Sequence, residues 1–185
     1  MNRVFEPRGY FTVPDGTDVS AFLNATDLTQ ADVPWNAVGD MSIAQGRINP
    51  GVRSWVHVHH VVTQVTYLLA GELTVRMKEA NTPEPYELVL KPGQAVLVQP
   101  GTLFQLQNEG NALAKVLYLV SPSYVSEVEG QEVRYDDATL VAKTWKEIVG
   151  ADYDLPTINA SASEAKLQRR EAIRRIARRK GVLGR

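Results

Sequence analysis

Short apolar runs separated by turn sequences make up most of the chain from residue 41 to residue 120. Gly, Pro and Asn occupy the turns, as in Asn49-Pro50-Gly51 and Lys91-Pro92-Gly93, because these residues tolerate a positive φ or preset a negative one. About eight antiparallel strands are predicted, over residues 41–48, 54–61, 64–69, 73–78, 86–90, 95–98, 103–107 and 112–120. The pattern is typical of an all-β sandwich or barrel with residues 41–120 as its core.

The segments on either side of this core have weaker patterns. Residues 1–40 are expected to form an N-terminal extension with one or two edge strands, such as residues 10–13. Residues 121–160 are expected to pack on the barrel, with a short helix over residues 144–149. Neither flank has the regular alternation of strands and turns that defines the core.

Residues 161–185 predict a basic C-terminal helical tail. Ser161 and Glu164 have the spacing of a capping box, and apolar residues recur near helical spacing up to a stop at Gly181. Nine basic and two acidic side chains give this tail a net charge of +7, whereas the rest of the chain carries −8. We expect the tail to contact an acidic protein surface, in the simplest case that of its own body. Specific nucleic-acid binding is not expected, because no recognised reader motif accompanies the charge.

The overall composition is that of a globular protein, with 44% hydrophobic and 22% charged residues. The chain has no cysteine, which excludes disulfides, thiolate metal sites and a cysteine nucleophile. No Gly-x-Ser-x-Gly elbow and no Gly-rich phosphate loop occurs either. No apolar run is long enough to span a bilayer, and the first ten residues lack a signal-peptide pattern, so we expect a cytoplasmic protein.

All three histidines of the chain, His57, His59 and His60, lie in one predicted strand. Residues two apart in a strand project to the same face, so His57 and His59 are expected to point one way and His60 the other. The next strand presents Gln64, with Thr66 on the same face. Imidazole and oxygen donors suit Fe, Zn, Ni, Cu or Mn, and the sequence does not choose among these metals.

Two groups of residues resemble the two sequence motifs of the cupin superfamily. The first group consists of Gly51, His57-Val58-His59, Gln64 and Gly71. The second group consists of Gly93, Gln99-Pro100-Gly101, Phe104 and Asn108. The chain departs from the motifs at Gln64, where the first usually has Glu, and at Phe104, where the second usually has a metal-binding His. At Gln99, the second motif usually has Pro.

The resemblance implies a cupin-like antiparallel jelly-roll β-barrel whose metal is usually held by two His, one Glu and a third His. In this chain the matching metal ligands are His57, His59 and Gln64. A phenyl ring cannot bind a metal, so Phe104 would instead narrow the pocket and make it more apolar. The resemblance also implies a homodimer.

Two functions remain open at this stage. In the first, a divalent transition metal on His57, His59 and Gln64 serves an enzyme that acts on a small aromatic or apolar molecule, as an oxygenase or as an isomerase, cyclase or lyase working through an enolate. In the second, no metal binds, and the barrel is a non-catalytic sensor or accessory protein that binds a small molecule. The residues expected to line the substrate pocket are Trp55, Thr66, Phe104 and Leu106.

Overall fold

A computed structural model gives the structure of residues 4–7, 9–24, 41–149, 155–179 and 181. The parts of the expected N-terminal extension and of the tail that fall on residues 25–40 and 182–185 lie outside the described residues. The strands are β1 Phe11–Thr12, β2 Asp18–Asn24, β3 Ser42–Ile48, β4 Val56–His59, β5 Thr63–Ala70, β6 Leu73–Lys78, β7 Tyr86–Leu90, β8 Ala95–Val98, β9 Leu103–Gln107, β10 Ala114–Ser121, β11 Ser126–Glu129, β12 Glu132–Asp136 and β13 Ala138–Ala142. The helices are α1 Trp145–Val149 and α2 Leu155–Arg179.

The strands form two main antiparallel sheets. The six-stranded sheet has the order β1-β2-β3-β10-β5-β8, and the five-stranded sheet has the order β13-β4-β9-β6-β7. Strands β11 and β12 form a separate hairpin. All eight strands expected between residues 41 and 120 are present, and the all-β jelly-roll prediction with a C-terminal helix is confirmed.

The main core lies between the two sheets. Side chains from both inner faces meet there, because alternate residues of each strand project inward. The largest fully buried members of this cluster are Phe104, Ile48, Leu68, Leu73, Leu106, Val62 and Val75. The outer face of the five-stranded sheet is also covered over β4 and β9, since Val56, Val58 and Leu103 pack against Trp145 and Ile148 of α1. Strand β4 is therefore buried on both of its faces.

The structure differs from the expected elements on both sides of the core. Strand β4 is shorter than the predicted strand over residues 54–61, because the N–H of Trp55 donates to the carbonyl of Asp15 in the N-terminal turn. Three strands follow Val120 where no strand was predicted. Strand β13 pairs with β4 through Ala138 and His59, so the five-stranded sheet extends beyond residue 120. The expected short helix near residues 144–149 is present as α1.

The prediction that the tail helix starts at a Ser161 capping box is wrong. Helix α2 begins at Leu155, so Ser161 lies inside it. Pro156 is compatible with this earlier start, because a proline in the first turn of a helix has no N–H that needs an intrahelical partner. At the other end, α2 stops at Arg179, and the N–H of Gly181, with a φ of +69°, donates to the carbonyl of Arg178.

Helix α2 docks on its own chain beside the β11–β12 hairpin. Ala172 and Ile176 pack against Val125 and Tyr135. The fully buried carboxylate of Glu127 accepts hydrogen bonds from Arg175 and Arg179, at 2.8 and 2.5 Å. Closer to the N-terminus of the helix, Arg169 pairs with Asp137. The expected contact between the basic tail and an acidic surface is thus made within the chain.

The opposite side of α2 carries the exposed basic side chains of Lys166, Arg170, Arg174 and Arg178. Among the described residues, no helix combines the length and the apolar character needed to cross a membrane. The cytoplasmic location and the homodimer stay predictions.

The turn between β5 and β6 is tightly packed around Gly71, and Gly51, in the turn between β3 and β4, serves as a control. Gly71 has a φ of +83°, and a Cβ there would lie 2.6 Å from the carbonyl oxygen of Leu113 and 2.8 Å from Cα of Ala114. Gly51 has a φ of +77°, but nothing lies within 4 Å of its Cβ position. We expect Gly71→Ala to lower the free energy of unfolding by roughly 3 kcal/mol and Gly51→Ala by about 1 kcal/mol. Urea unfolding followed by circular dichroism measures both, and equal losses would contradict the close packing at Gly71.

Candidate functional site

His57 and His59 lie side by side inside the barrel. Both project inward from β4, and each is only 3% exposed. Their ring centroids are 5.5 Å apart, with the rings nearly perpendicular. His60 follows β4 and is half-buried, so it is not part of the inward-facing pair. The expectation that His57 and His59 share one face of the strand is therefore confirmed.

Backbone carbonyls hold the same nitrogen of each inward-facing ring. Nδ1 of His57 lies 2.8 Å from the carbonyl oxygen of Trp55, and Nδ1 of His59 lies 3.2 Å from the carbonyl oxygen of Asp137. A carbonyl oxygen only accepts, so each Nδ1 carries the proton and each Nε2 carries the lone pair. Nε2 of His59 is buried and has no hydrogen-bond partner among the described residues.

Gln64 and Thr66 are also buried, on the facing strand β5. The side-chain amide of Gln64 donates to Oγ1 of Thr66 at 3.0 Å. This hydrogen bond uses the nitrogen end of the amide, so Oε1 is the atom of Gln64 that can accept. Thr66 was expected to line the substrate pocket. In the structure its hydroxyl accepts from Gln64 and sets the direction of the Gln64 amide.

Phe104 fills the position beside the two histidines. It is opposite His57 in the β4–β9 pairing and is completely buried. Its ring centroid lies 4.0 Å from that of His57 and 5.3 Å from that of His59. Leu106 is buried in the same core, whereas Trp55 is half-buried with the amino group of Lys143 5.2 Å from its ring centroid.

Several residues around the histidines were not identified as site residues from the sequence. The ring of Tyr124 lies 5.9 Å from that of His59, edge to face, and the Tyr124 hydroxyl donates to the carboxylate of Asp136. Asp137 contributes the carbonyl that binds His59. Asp136 and Asp137 belong to an acidic stretch that is visible in the sequence, but only the pairing of β13 with β4 shows that this stretch lies beside His59.

Burial keeps both inward-facing histidines neutral. It lowers the pKa of His57, and the nearby carboxylate of Asp15 only partly opposes this effect. Burial, with a smaller effect of His57, lowers the pKa of His59 to about 3, although the Asp137 carbonyl and the Gln64 side chain favour its protonated form. Burial also raises the pKa of Asp136 to about 6. Neutral imidazoles are the form that binds metals.

The donor set of this site suits a divalent transition metal. It consists of two neutral imidazoles, whose Nδ1–H groups are held by carbonyls as is usual for metal-binding histidines, and the amide oxygen of Gln64. The buried Nε2 of His59 without a partner is what such a site would use. The described part of the chain holds no cluster of three or more His, Cys, Asp or Glu that could bind a metal, so a third protein ligand beside His57 and His59 would have to be of another type, such as Gln64.

The lowered pKa of His59 predicts a loss of stability in acid. Below the ordinary value of 6.5, the unfolded chain takes up a proton at this ring and the folded protein does not, until the pH reaches about 3. At pH 5 this difference amounts to about 2 kcal/mol. We expect wild type to lose about 2 kcal/mol more than His59→Gln between pH 7 and pH 5, measured by urea unfolding at both values.

The comparison with His59→Gln removes the contribution of Asp136, which has the opposite sign. Because its folded pKa is raised to about 6, Asp136 destabilises the folded state as the pH rises from 3.8 towards 6, and it does so in both proteins. An equal acid loss in wild type and variant would contradict a neutral, buried His59.

Comparison with known proteins shows what the barrel is similar to. Residues 45–120 match the family model of the cupin domain. Germin-like protein 3-3 of Oryza sativa subsp. japonica is 30% identical over 107 residues, which is 55% of this chain. The chain spans about half of that relative, 47% of its length.

Two solved structures have a similar fold at low sequence identity. The capsular polysaccharide assembling protein CapF from Staphylococcus aureus aligns over 76% of this chain and 32% of its own, with a TM-score of 0.52 and 14% identity. Peruvianin-I, a cysteine peptidase from Thevetia peruviana latex, aligns over 75% of this chain and 74% of its own, with a TM-score of 0.52 and 16% identity. At these identities the likeness concerns the fold alone. The match over residues 45–120, the two motifs and the jelly-roll topology show that this part of the chain is similar to the cupin domain.

Proposed function

We propose that this protein is a metal-dependent cupin enzyme that acts on a small aromatic or apolar molecule. The observation that carries the proposal is the buried Nε2 of His59, which has no hydrogen-bond partner among the described residues while Nδ1 is held by the Asp137 carbonyl. A buried polar atom without a partner costs free energy, and a metal would remove this cost. His57, His59 and Gln64 would hold the ion.

A bound metal would supply Lewis-acid polarisation of a substrate oxygen, or redox chemistry with dioxygen. The first fits an isomerase, cyclase or lyase that works through an enolate, and the second fits an oxygenase. A site with three protein ligands leaves coordination positions for substrate, as catalytic centres require.

The side chains around the proposed metal ligands would bind an apolar substrate, orient Gln64 and place a protonated hydroxyl near His59. Phe104 and Leu106 offer apolar surface for the substrate and exclude water from the site. Thr66 fixes the direction of the Gln64 amide through its hydroxyl. The Tyr124 hydroxyl keeps its proton near His59, because burial and the Asp136 carboxylate raise its pKa well above the ordinary value. These contacts favour an apolar substrate with few polar groups.

A non-catalytic ligand-binding cupin is the second candidate. It is favoured by Phe104, whose ring packs 4.0 Å from His57 where the cupin motif usually has a metal-binding His. With a phenyl ring there, His57 and His59 would serve as hydrogen-bonding groups for an organic ligand. Metal content separates the two candidates.

The proposed metal site predicts metal in the protein as purified without a histidine tag from metal-supplemented medium. We expect near-stoichiometric Fe, Zn, Ni, Cu or Mn by elemental mass spectrometry, because neutral imidazoles and an amide oxygen suit these ions. The double variant His57→Ala/His59→Ala should lose the metal. His60→Ala is the matched control and should keep it, since His60 lies outside the inward-facing pair. Equal metal content in wild type and double variant, or no metal in wild type, would support the second candidate.

A histidine in place of Phe104 should strengthen the site. The centroid of the Phe104 ring lies 4.0 Å from that of His57 and 5.3 Å from that of His59. An imidazole at residue 104 would therefore lie beside the other two. We expect Phe104→His to bind Ni²⁺ about tenfold more tightly than Phe104→Leu, measured by titration calorimetry. Phe104→Leu opens similar space without adding a ligand, so equal affinities in the two variants would count against a metal between these side chains.

A further inference from the structure

Arg169 of helix α2 contacts two residues that surround His59. Its Nε donates to both carboxylate oxygens of Asp137, at 3.1 and 3.2 Å. Its Nη2 donates to the carbonyl oxygen of Ser123. The side chain of Arg169 is only 12% exposed and that of Asp137 is fully buried, so water competes little with this ion pair.

Both of these contacts lead directly to His59. Asp137 binds Nδ1 of His59 through its carbonyl oxygen, and the following residue, Ala138, pairs with His59 in the β13–β4 ladder. Ser123 precedes Tyr124, whose ring lies edge to face with that of His59. One guanidinium therefore fixes the backbone on two sides of the same imidazole.

The carboxylate of Asp137 is saturated with donors, which makes its position well defined. Besides Arg169, it accepts hydrogen bonds from the N–H of Val125 at 2.7 Å and from the hydroxyl of Tyr135 at 2.6 Å. The N–H of Asp137 in turn donates to the carbonyl of Val125 at 3.0 Å. These bonds orient the Asp137 peptide, and the His59 ring depends on the direction of that carbonyl.

The remaining ion pairs of α2 have no such connection. Arg175 and Arg179 both pair with Glu127 on β11. Among the described contacts, no hydrogen bond or ring contact joins Glu127 to either inward-facing histidine. Among the described ion pairs between α2 and the rest of the chain, the one made by Arg169 is therefore the one that reaches the site.

We infer that Arg169 is a positioning residue, through which helix α2 fixes the tautomer and orientation of His59. The inference deepens the proposed metal site and rests on it where metal affinity is concerned. Without Arg169, the Asp137 carbonyl would be held less firmly against Nδ1 by its remaining bonds, and part of the His59 rings would carry the proton on Nε2 instead. Residues bound to metal-binding histidines in this way typically change metal affinity about 10- to 100-fold when replaced.

Nuclear magnetic resonance of the metal-free protein tests the inference without any metal. Long-range ¹H–¹⁵N correlation spectra identify the tautomer of each histidine. We expect His59 of wild type to carry its proton on Nδ1, and Arg169→Gln to shift it towards a mixture of both tautomers, while His57 stays unchanged. The matched control is Arg175→Gln, which also removes an ion pair of α2 with a buried acid but leaves Arg179 on Glu127. It should leave both histidines as in wild type.

Ni²⁺ titration of the same proteins adds a second readout. Because Arg169 acts through Asp137, we expect an effect at the low end of the range, about tenfold weaker binding in Arg169→Gln and no change in Arg175→Gln. A wild type that binds no Ni²⁺ would contradict the proposed function, and the tautomer of His59 would still decide the role of Arg169.

A folded Arg169→Gln protein with an unchanged His59 tautomer would overturn the inference, as would an equal shift in Arg175→Gln. Should Arg169→Gln fail to fold, Arg169→Lys takes its place, because it keeps a positive charge beside the buried Asp137 carboxylate but lacks the guanidinium that also reaches Ser123. A smaller shift of His59 in the same direction is then expected, and no shift would overturn the inference.

Discussion

The burial of β4 on both faces is the constraint on which the rest of the structure depends. A strand presents alternate residues to opposite sides, so Val56 and Val58 need an apolar cover on the outside while His57 and His59 lie inside the barrel. Helix α1 and strand β13 supply the outer cover. With little access to water on either side, the two imidazoles are stable as neutral rings whose N–H groups are bonded to the protein. The chemistry of the site therefore follows from the way one strand is covered.

The part of the fold that could be predicted from the sequence is the part where turn residues mark the ends of the strands. Between residues 41 and 120, turn residues separate apolar runs at regular intervals, and every expected strand forms. Strands β11 to β13 could not be predicted in this way, because they lie in a region without regular turns. Strands β11 and β12 pair with each other and contact α2, whereas β13 gains its place by pairing with β4. The start of α2 was misplaced because Ser161 and Glu164 have capping-box spacing within a helix that already began at Leu155.

For the site, the sequence was sufficient for residues close together along the chain. The inward direction of His57 and His59 follows from strand parity, whereas the position of Phe104 beside them was implied by the resemblance to the second cupin motif. Asp15, Tyr124 and Asp137 are separated from the histidines by many residues. Their proximity depends on the N-terminal turn contacting Trp55 and on β13 completing the five-stranded sheet. Long-range pairings of this kind leave no local pattern in a single sequence.

Helix α2 combines two roles for its positive charge. One side of the helix neutralises the buried carboxylates of Asp137 and Glu127 through Arg169, Arg175 and Arg179. The exposed side carries Lys166, Arg170, Arg174 and Arg178. The chain as a whole carries a formal net charge of −1, yet basic residues are in excess in α2 and acidic residues are in excess in the rest of the sequence. This separation of charge gives the molecule an electric dipole moment in spite of its near-zero net charge. Its long-range interactions with other charged bodies therefore depend on orientation, and they weaken beyond about 8 Å at physiological ionic strength.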